Sequence, residues 1–328
     1  MFPFGHGAVA YTGGEPSEAE HMRERKSWII EGIGAQAFER LARDLSGAAL
    51  QSLLLEVMRE RARTRTPAAV LRQYQRDRFC RPSAIDRRTS LAVDAALFAA
   101  AEGFEALELS PLAPLASCSS VALTDQNRVV SALRSTEVPA DPTNVLALEC
   151  ALRLRAAPSV PVHLATSQRV VRAQPVPKLP GYAQHFRIFV LATGGVESEG
   201  RAFSVASVVR HARVLLAALE SLERQGYAFG ERFVEVLSTP ERSAQANAIA
   251  RALGDVATCK PLGHAYYSGG LRFMLWVTAA DGSRVPLGDG GTFDWLAKLG
   301  SNRRAVFIAS GLGAQLIPTL FQQRFKDA

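Results

Sequence analysis

The sequence predicts an α+β protein built around a largely antiparallel sheet. Three observations predict it. Strand-like segments predominate after residue 100, single helices are interposed among them, and neighbouring strands are joined as hairpins rather than as regular strand–helix–strand units. At 328 residues, 48% hydrophobic and 21% charged, the chain can bury one large core or two smaller ones. No internal repeat or low-complexity tract appears.

Residues 1–20 carry Gly, Pro and Glu without period and read as a loose arm. Helical patterns follow over 22–43 and 46–64; in the second, Ser46 is the N-cap and Leu50, Leu53, Leu54, Val57 and Met58 share one stripe. Thr66-Pro67 opens a third helix, to about Phe79, with proline in its first turn. Residues 1–85 are therefore expected to form a helical, basic N-terminal extension, and 86–328 the core domain. A helix over 90–102 ends at Gly103 and leads into an alternating strand over 104–112 that proline stops. A hairpin is expected over 123–133, then a helix over 141–154 with Asp141 or Thr143 near its cap. Strands over 162–174 and 185–194 flank a Pro- and Gly-rich loop. A helix (205–225), a strand (232–238), a helix (240–253), strands (269–278 and 284–288) and a last strand and helix (305–325) complete the chain.

The formal charge of +7 is concentrated. Between Arg59 and Arg88 ten arginines face three acids. Arg72, Arg76, Arg78, Arg81, Arg87 and Arg88 are candidates for a polyanion, RNA or an acidic protein partner; the competing reading is a solvated helix face, since aromatic residues are limited to Tyr74 and Phe79. The four cysteines, Cys80, Cys118, Cys150 and Cys259, are too far apart for a metal cluster and read as buried thilols of a reducing compartment. The N-terminus lacks a basic and an apolar secretory region, and the longest uncharged run, 305–323, contains Pro318 and reads as strand and helix. The expectation is a cytoplasmic protein with no membrane partner and no metal.

Five stretches, in this order, carry chemistry: the helix and strand 90–112; ValHisLeuAlaThrSerGlnArgValValArgAlaGln (162–174) running into HisPheArgIlePheVal (185–190); LeuGlyHisAlaTyrTyrSerGly (262–269); GlyGlyThrPheAspTrpLeu (290–296); and SerGlyLeuGly (310–313). Together they resemble the catalytic core of class II aminoacyl-tRNA synthetases, in the histidyl-tRNA synthetase branch, over about residues 88–320. The resemblance implies a homodimer through the first stretch, and Arg172, Gln174 and Phe186 as the contacts of an adenine nucleotide such as ATP, with magnesium. In such a site Arg172 would fork onto an oxyanion, Gln174 would accept from an exocyclic amine, and Phe186 would stack the base. It likewise implies Tyr266, Tyr267, Gly290 and Gly291 as ligand contacts. The competing reading is structural, with Arg172 paired internally and Phe186 in the core.

The departures matter as much. Leu262 and Leu316 stand where the family has arginines on the phosphates, Ala265 where its signature has an aspartate, and Ile188, Ala192 and Thr143 where polar groups hold the amino acid. An uncharged leucine cannot stabilise a pentavalent phosphorus transition state. No anticodon-binding domain is expected. The resemblance therefore implies a catalytically degenerate paralogue acting as a ligand-binding or regulatory protein, comparable to the regulatory subunit of ATP phosphoribosyltransferase. One alternative is a diverged adenylating enzyme with a non-histidine substrate, using Arg169, Arg272, Arg303 or Arg304 as replacement cations. The other is an RNA- or protein-binding module built on 59–88.

Overall fold

A computed structural model describes residues 27–263, 266–300 and 302–321. The chain divides into two compact units, one reaching up to Arg76 together with Ala132–Ser135, the other comprising Asp77–Ser131 and the chain from Thr136 onward. The boundary thus falls nine residues before the one the sequence suggests, because residues 81–85 are bonded to the later chain: the Arg81 carbonyl meets His185 on a sheet strand and the Ser83 hydroxyl meets Gln315 in a turn.

In the helical unit, α1 (Ala35–Glu39) continues as a wide turn over Arg40–Asp44, α2 spans Gly47–Arg63 and α3 spans Pro67–Arg76. Ser46 caps α2 as expected, accepting from the Ala49 amide at 3.2 Å. None of these helices holds a buried residue.

The other unit opens with α4 (Arg87–Ala100), whose N-cap Asp86 accepts from the amides of Arg88 and Thr89. The strand expected over 104–112 shortens to β1 (Glu105–Ala106), and the hairpin expected over 123–133 moves downstream to β3 (Val130–Ala132) and β4 (Thr136–Val138), which with the earlier β2 (Ala113–Pro114) form a small separate sheet. Helix α5 (Pro142–Ala156) begins with proline behind the N-cap Asp141. Then come β5 (Val162–Val171), β6 (His185–Val196), α6 (Ala202–Arg224), β7 (Arg232–Ser238), α7 (Ser243–Leu253), β8 (Ala257–Pro261), β9 (Leu271–Thr278), β10 (Arg284–Phe293), α8 (Trp295–Leu299), β11 (Ala305–Leu312) and α9 (Ile317–Leu320). The main sheet has the order β1-β5-β6-β11-β10-β9-β7-β8. Its five inner pairings are antiparallel, and only the edge pairs β1–β5 and β7–β8 are parallel.

Period-two alternation sorts the side chains between two faces. On β6, Phe189 and Leu191 join a core with α4 and α6, whereas Phe186, Ile188, Val190 and Ala192 join another with α5 and α8. Helix α6, with its leading turn, is long and apolar enough to cross a membrane (Glu199–Arg224). Leu215, Leu219 and Leu222 on it are wholly buried in the first core, which accounts for its apolar length. A bulge where Pro286 pairs Trp276 but Gly288 pairs Leu275 reverses the alternation in β10. Before it Val285 and Leu287 face the first core; after it Asp289 and Gly291 face the second. Cys118 and Cys150 are buried, and burial pushes both thiols up to about 12. Cys80 and Cys259 are exposed, contrary to the sequence reading, since both lie outside the two main cores.

Candidate functional site

The sequence candidates on the second face come together. Arg172, the first residue beyond β5, is only 3% exposed, and its Nε donates to the Ala140 carbonyl at 3.2 Å. Its Nη2 lies 3.8 Å from Oδ2 of the wholly buried Asp141, and its guanidinium sits 4.8 Å from the centre of the Phe186 ring. Burial draws the Arg172 pKa down, and Asp141 works against that shift. Asp141 is held in turn by the amide and hydroxyl of Thr143, at 3.0 and 2.8 Å. Gln174 stands half-buried in a bend two residues later.

Beside this pair lies another arginine–carboxylate pair. Tyr267 donates its hydroxyl to Asp289 Oδ2 at 2.5 Å, Arg272 Nη2 donates to the same oxygen at 3.2 Å, and the Arg272 guanidinium lies 5.1 Å over the Tyr267 ring. Burial and then the Asp289 charge raise the Tyr267 hydroxyl well above the ordinary tyrosine value; burial, then Asp141 and Asp289, do the same for Tyr266. Both phenols are proton donors throughout the physiological range. The two rings meet edge-on at 5.3 Å, and both pack around Phe293 in one aromatic cluster. Read as strand neighbours, they should point to opposite faces. They share one because they precede β9, in a turn. Their neighbour Ala265, where the resemblance wants an aspartate, lies outside the described residues.

Gly290 and Gly291 sit in mid-sheet. A Cβ on Gly291 would lie 2.3 Å from the Leu271 carbonyl and 2.4 Å from the Tyr267 ring; one on Gly290 would meet Ser310 and Ala309. These glycines therefore admit protein neighbours. Of the positions where the family is charged, Leu262 packs beside the aromatic cluster and Leu316, 9% exposed, belongs to the other core. Ile188 and Ala192 are wholly buried.

Asp289 and Arg272 were the less legible members. The sequence marks Arg272 only as a spare cation, and the signal for Asp289 was a lone acid inside the otherwise uncharged, Gly-rich stretch 285–293. Buried Gln184 Oε1, Arg272 Nε and Thr292 Oγ1 have no hydrogen-bond partner among the described residues. The arginines expected to bind a polyanion are all exposed, with Arg72 and Arg76 on α3 and Arg78, Arg81, Arg87 and Arg88 in the other unit.

Comparison with known proteins agrees with this geometry at the level of fold. No protein-family model and no curated protein matches the sequence. Among solved structures, the chain is similar to an ATP phosphoribosyltransferase regulatory subunit/histidyl-tRNA synthetase from Bacillus halodurans: TM-score 0.56, 14% identity, covering 73% of this chain and 81% of that one. It is similar also to a histidine–tRNA ligase subunit from Alicyclobacillus acidocaldarius, with TM-score 0.53, 14% identity, and coverage of 72% and 95%. Histidyl-tRNA synthetase from S. aureus matches at TM-score 0.51 and 13% identity, covering 70% and 64%. The fold is thus that of the class II aminoacyl-tRNA synthetase core. Histidyl-tRNA synthetases recur among these similar structures, and a threonyl-tRNA synthetase from Cryptosporidium parvum matches comparably, at TM-score 0.54 and 13% identity.

Proposed function

We propose that this chain is a catalytically degenerate relative of the class II synthetase core that acts by binding a ligand or regulating a partner. Its ligand would be seated by Gln174, Tyr266 and Tyr267 around Arg172 and Phe186, with Gly290 and Gly291 letting Ser310 and Tyr267 close in on the strand behind it. The carrying observation is the state of Arg172. The arginine that the resemblance places on an oxyanion is 3% exposed, set against a buried carboxylate and laid over the ring on which a base would stack. A phosphate would have to displace Asp141, and an adenine would have to displace the guanidinium. The residues present therefore do not suit ATP and magnesium as an activating pair, and with Leu262 and Leu316 no second cation stands at the family's phosphate positions. The test is ATP–pyrophosphate exchange with magnesium across the twenty amino acids and a few carboxylic acids. We expect none above background; exchange with any acid would put the diverged adenylating enzyme first.

Homodimerisation through α4 and the segment after it is part of this reading, checked by light scattering, as is a reducing, cytoplasmic setting for the free thiols. A second reading has its own support. Helix α3 exposes Val70, Leu71 and Tyr74 beside Arg72 and Arg76, the composition of a surface for RNA or an acidic protein. Binding that weakens steeply with salt would favour it.

A further inference from the structure

The opposite face of the sheet from the candidate site holds a charge arrangement that the proposed function does not use. Arg169 on β5 and Arg187 on β6 are directly opposed in the antiparallel ladder. Like charges at such a position repel and destabilise the pairing. Here they are also partly withdrawn from water: Arg187 is 16% exposed over its side chain, and Arg169 is half-buried.

The surrounding groups compensate only in part. Asp94 on α4 is the one close carboxylate among the described residues, 3.3 Å from Arg187 Nη1, and it already accepts from the Ser167 hydroxyl at 2.5 Å. Burial raises the Asp94 pKa despite those two partners, so its charge is held at a cost. At the rim, exposed Arg87 and Glu108 oppose each other. Arg169 Nη1 donates to His185 Nδ1 at 2.9 Å, and His185 Nε2 meets the Arg81 carbonyl at 2.6 Å. An arginine can only donate, so the hydrogen of that ring sits on Nε2 and Nδ1 offers a lone pair. Gln315 Oε1 accepts from Ser83 at 3.3 Å and stands 3.4 Å from Arg169. Arg187 Nη1 also donates to the Ser167 carbonyl at 2.8 Å, but Arg187 Nε, wholly shielded, has no hydrogen-bond partner among the described residues.

A cavity of about 10 Å³ is lined by both arginines together with Ser90, Gln315, Ile85 and Val93. That is room for one small species. A phosphate or carboxylate is too large for it. A water there would leave two cations facing one carboxylate, whereas a monatomic anion offsets the excess.

We propose that the cavity lined by Arg169 and Arg187 is a binding site for a single halide ion, chloride under ordinary conditions. The ion would neutralise the opposed arginines and so fasten β5, β6, the start of α4 and the turn before α9 around one point. This does not depend on the reading of the other face.

Two measurements on the full chain test it. Thermal unfolding is followed at fixed ionic strength with sodium chloride replaced by sodium gluconate, whose anion cannot enter. Chloride should raise the midpoint by about 2 °C or more, and Arg169→Gln should remove the difference between the salts. Separately, crystals of the unaltered protein grown in sodium bromide should show an anomalous peak in that cavity; this arm stands even if the variant fails to fold. Equal midpoints in both salts, a chloride effect that survives in Arg169→Gln, or density there without bromide signal would each overturn the proposal.

Discussion

At the residue scale, Arg172 stands 3.8 Å from Asp141, with both side chains buried. Its carboxylate partner lies thirty-one residues earlier, as an N-cap, where an aspartate is explained by helix capping alone. Burying an ion pair is weak evidence for stability, yet breaking one is costly because the survivor keeps its charge in a low dielectric. Arg172→Leu is therefore expected to destabilise the protein by about 3–5 kcal/mol, measured by urea unfolding. Adding Asp141→Asn should recover part of that loss; strictly additive penalties would mean the two side chains are not coupled. His211 gives the pH counterpart. It is wholly buried, bonded through Nε2 to Thr193 at 2.8 Å and through Nδ1 to Ser310 at 3.0 Å, and burial, then the charges of His163 and Arg210, push its pKa from 6.5 down to about 3. Below pH about 6.5 the unfolded chain takes up a proton that the folded one refuses. Stability should then fall by about 1.4 kcal/mol per pH unit from this group as pH drops toward 3. His163, also lowered by burial, acts in the same direction. The difference in pH slope between the protein and His211→Gln isolates the His211 share; identical slopes would refute it.

At the element scale, long alternating or helical stretches were legible, and the elements that hold the site less so. The strand 232–238 appears where the pattern puts it, and the hairpin expected over 162–174 and 185–194 forms over Val162–Val171 and His185–Val196, because their apolar periodicity is unbroken there. By contrast β10 reads as ending near residue 288, since Gly288, Gly290 and Gly291 have low strand preference, yet it runs on to Phe293. Ladders from β9 and β11 on both sides hold it there, and the glycines let neighbours approach. The bulge that turns Asp289 toward Tyr267 depends on register against β9, which no local pattern in β10 encodes. Gly291→Ala forces a methyl against the Leu271 carbonyl and the Tyr267 ring, and a backbone atom cannot swing aside. We expect a loss of about 1–3 kcal/mol or more by overpacking, with a near-ultraviolet tyrosine signal altered as the aromatic cluster shifts. Gly47→Ala, where a Cβ meets nothing within 4 Å, is the control and should be neutral or slightly stabilising. Equal effects of the two would show that close approach at Gly291 is not what selects glycine.

At the scale of the whole molecule, the broad architecture was legible because strand-rich and helix-rich stretches are well separated along the chain. Where the fold's dependence ends was not: the amphipathic stripe of α2 predicts a packed helix, yet its Leu53, Val57 and Met58 are 42 to 50% exposed. Periodicity reports that a helix has an apolar face, and cannot report whether this chain supplies the cover. Among the described residues, every buried side chain lies at or beyond Val93. Burial of apolar area is the dominant favourable term in folding, so the stability of the sheet unit should be independent of the residues before it. Residues 77–328 keep the Arg81, Ser83 and Asp86 bonds that tie the start of this unit to its sheet and helix. Produced alone, that fragment should unfold cooperatively with a midpoint within about 2 °C of the full chain, a difference on the scale of 1 kcal/mol or less. Its far-ultraviolet spectrum should differ from that of the full chain by helix alone. A fragment that fails to fold, or melts far lower, would mean that the first 76 residues cover part of the core and that their apolar stripes serve this chain itself. A fragment that keeps its midpoint leaves those stripes, and the arginines among them, for another molecule.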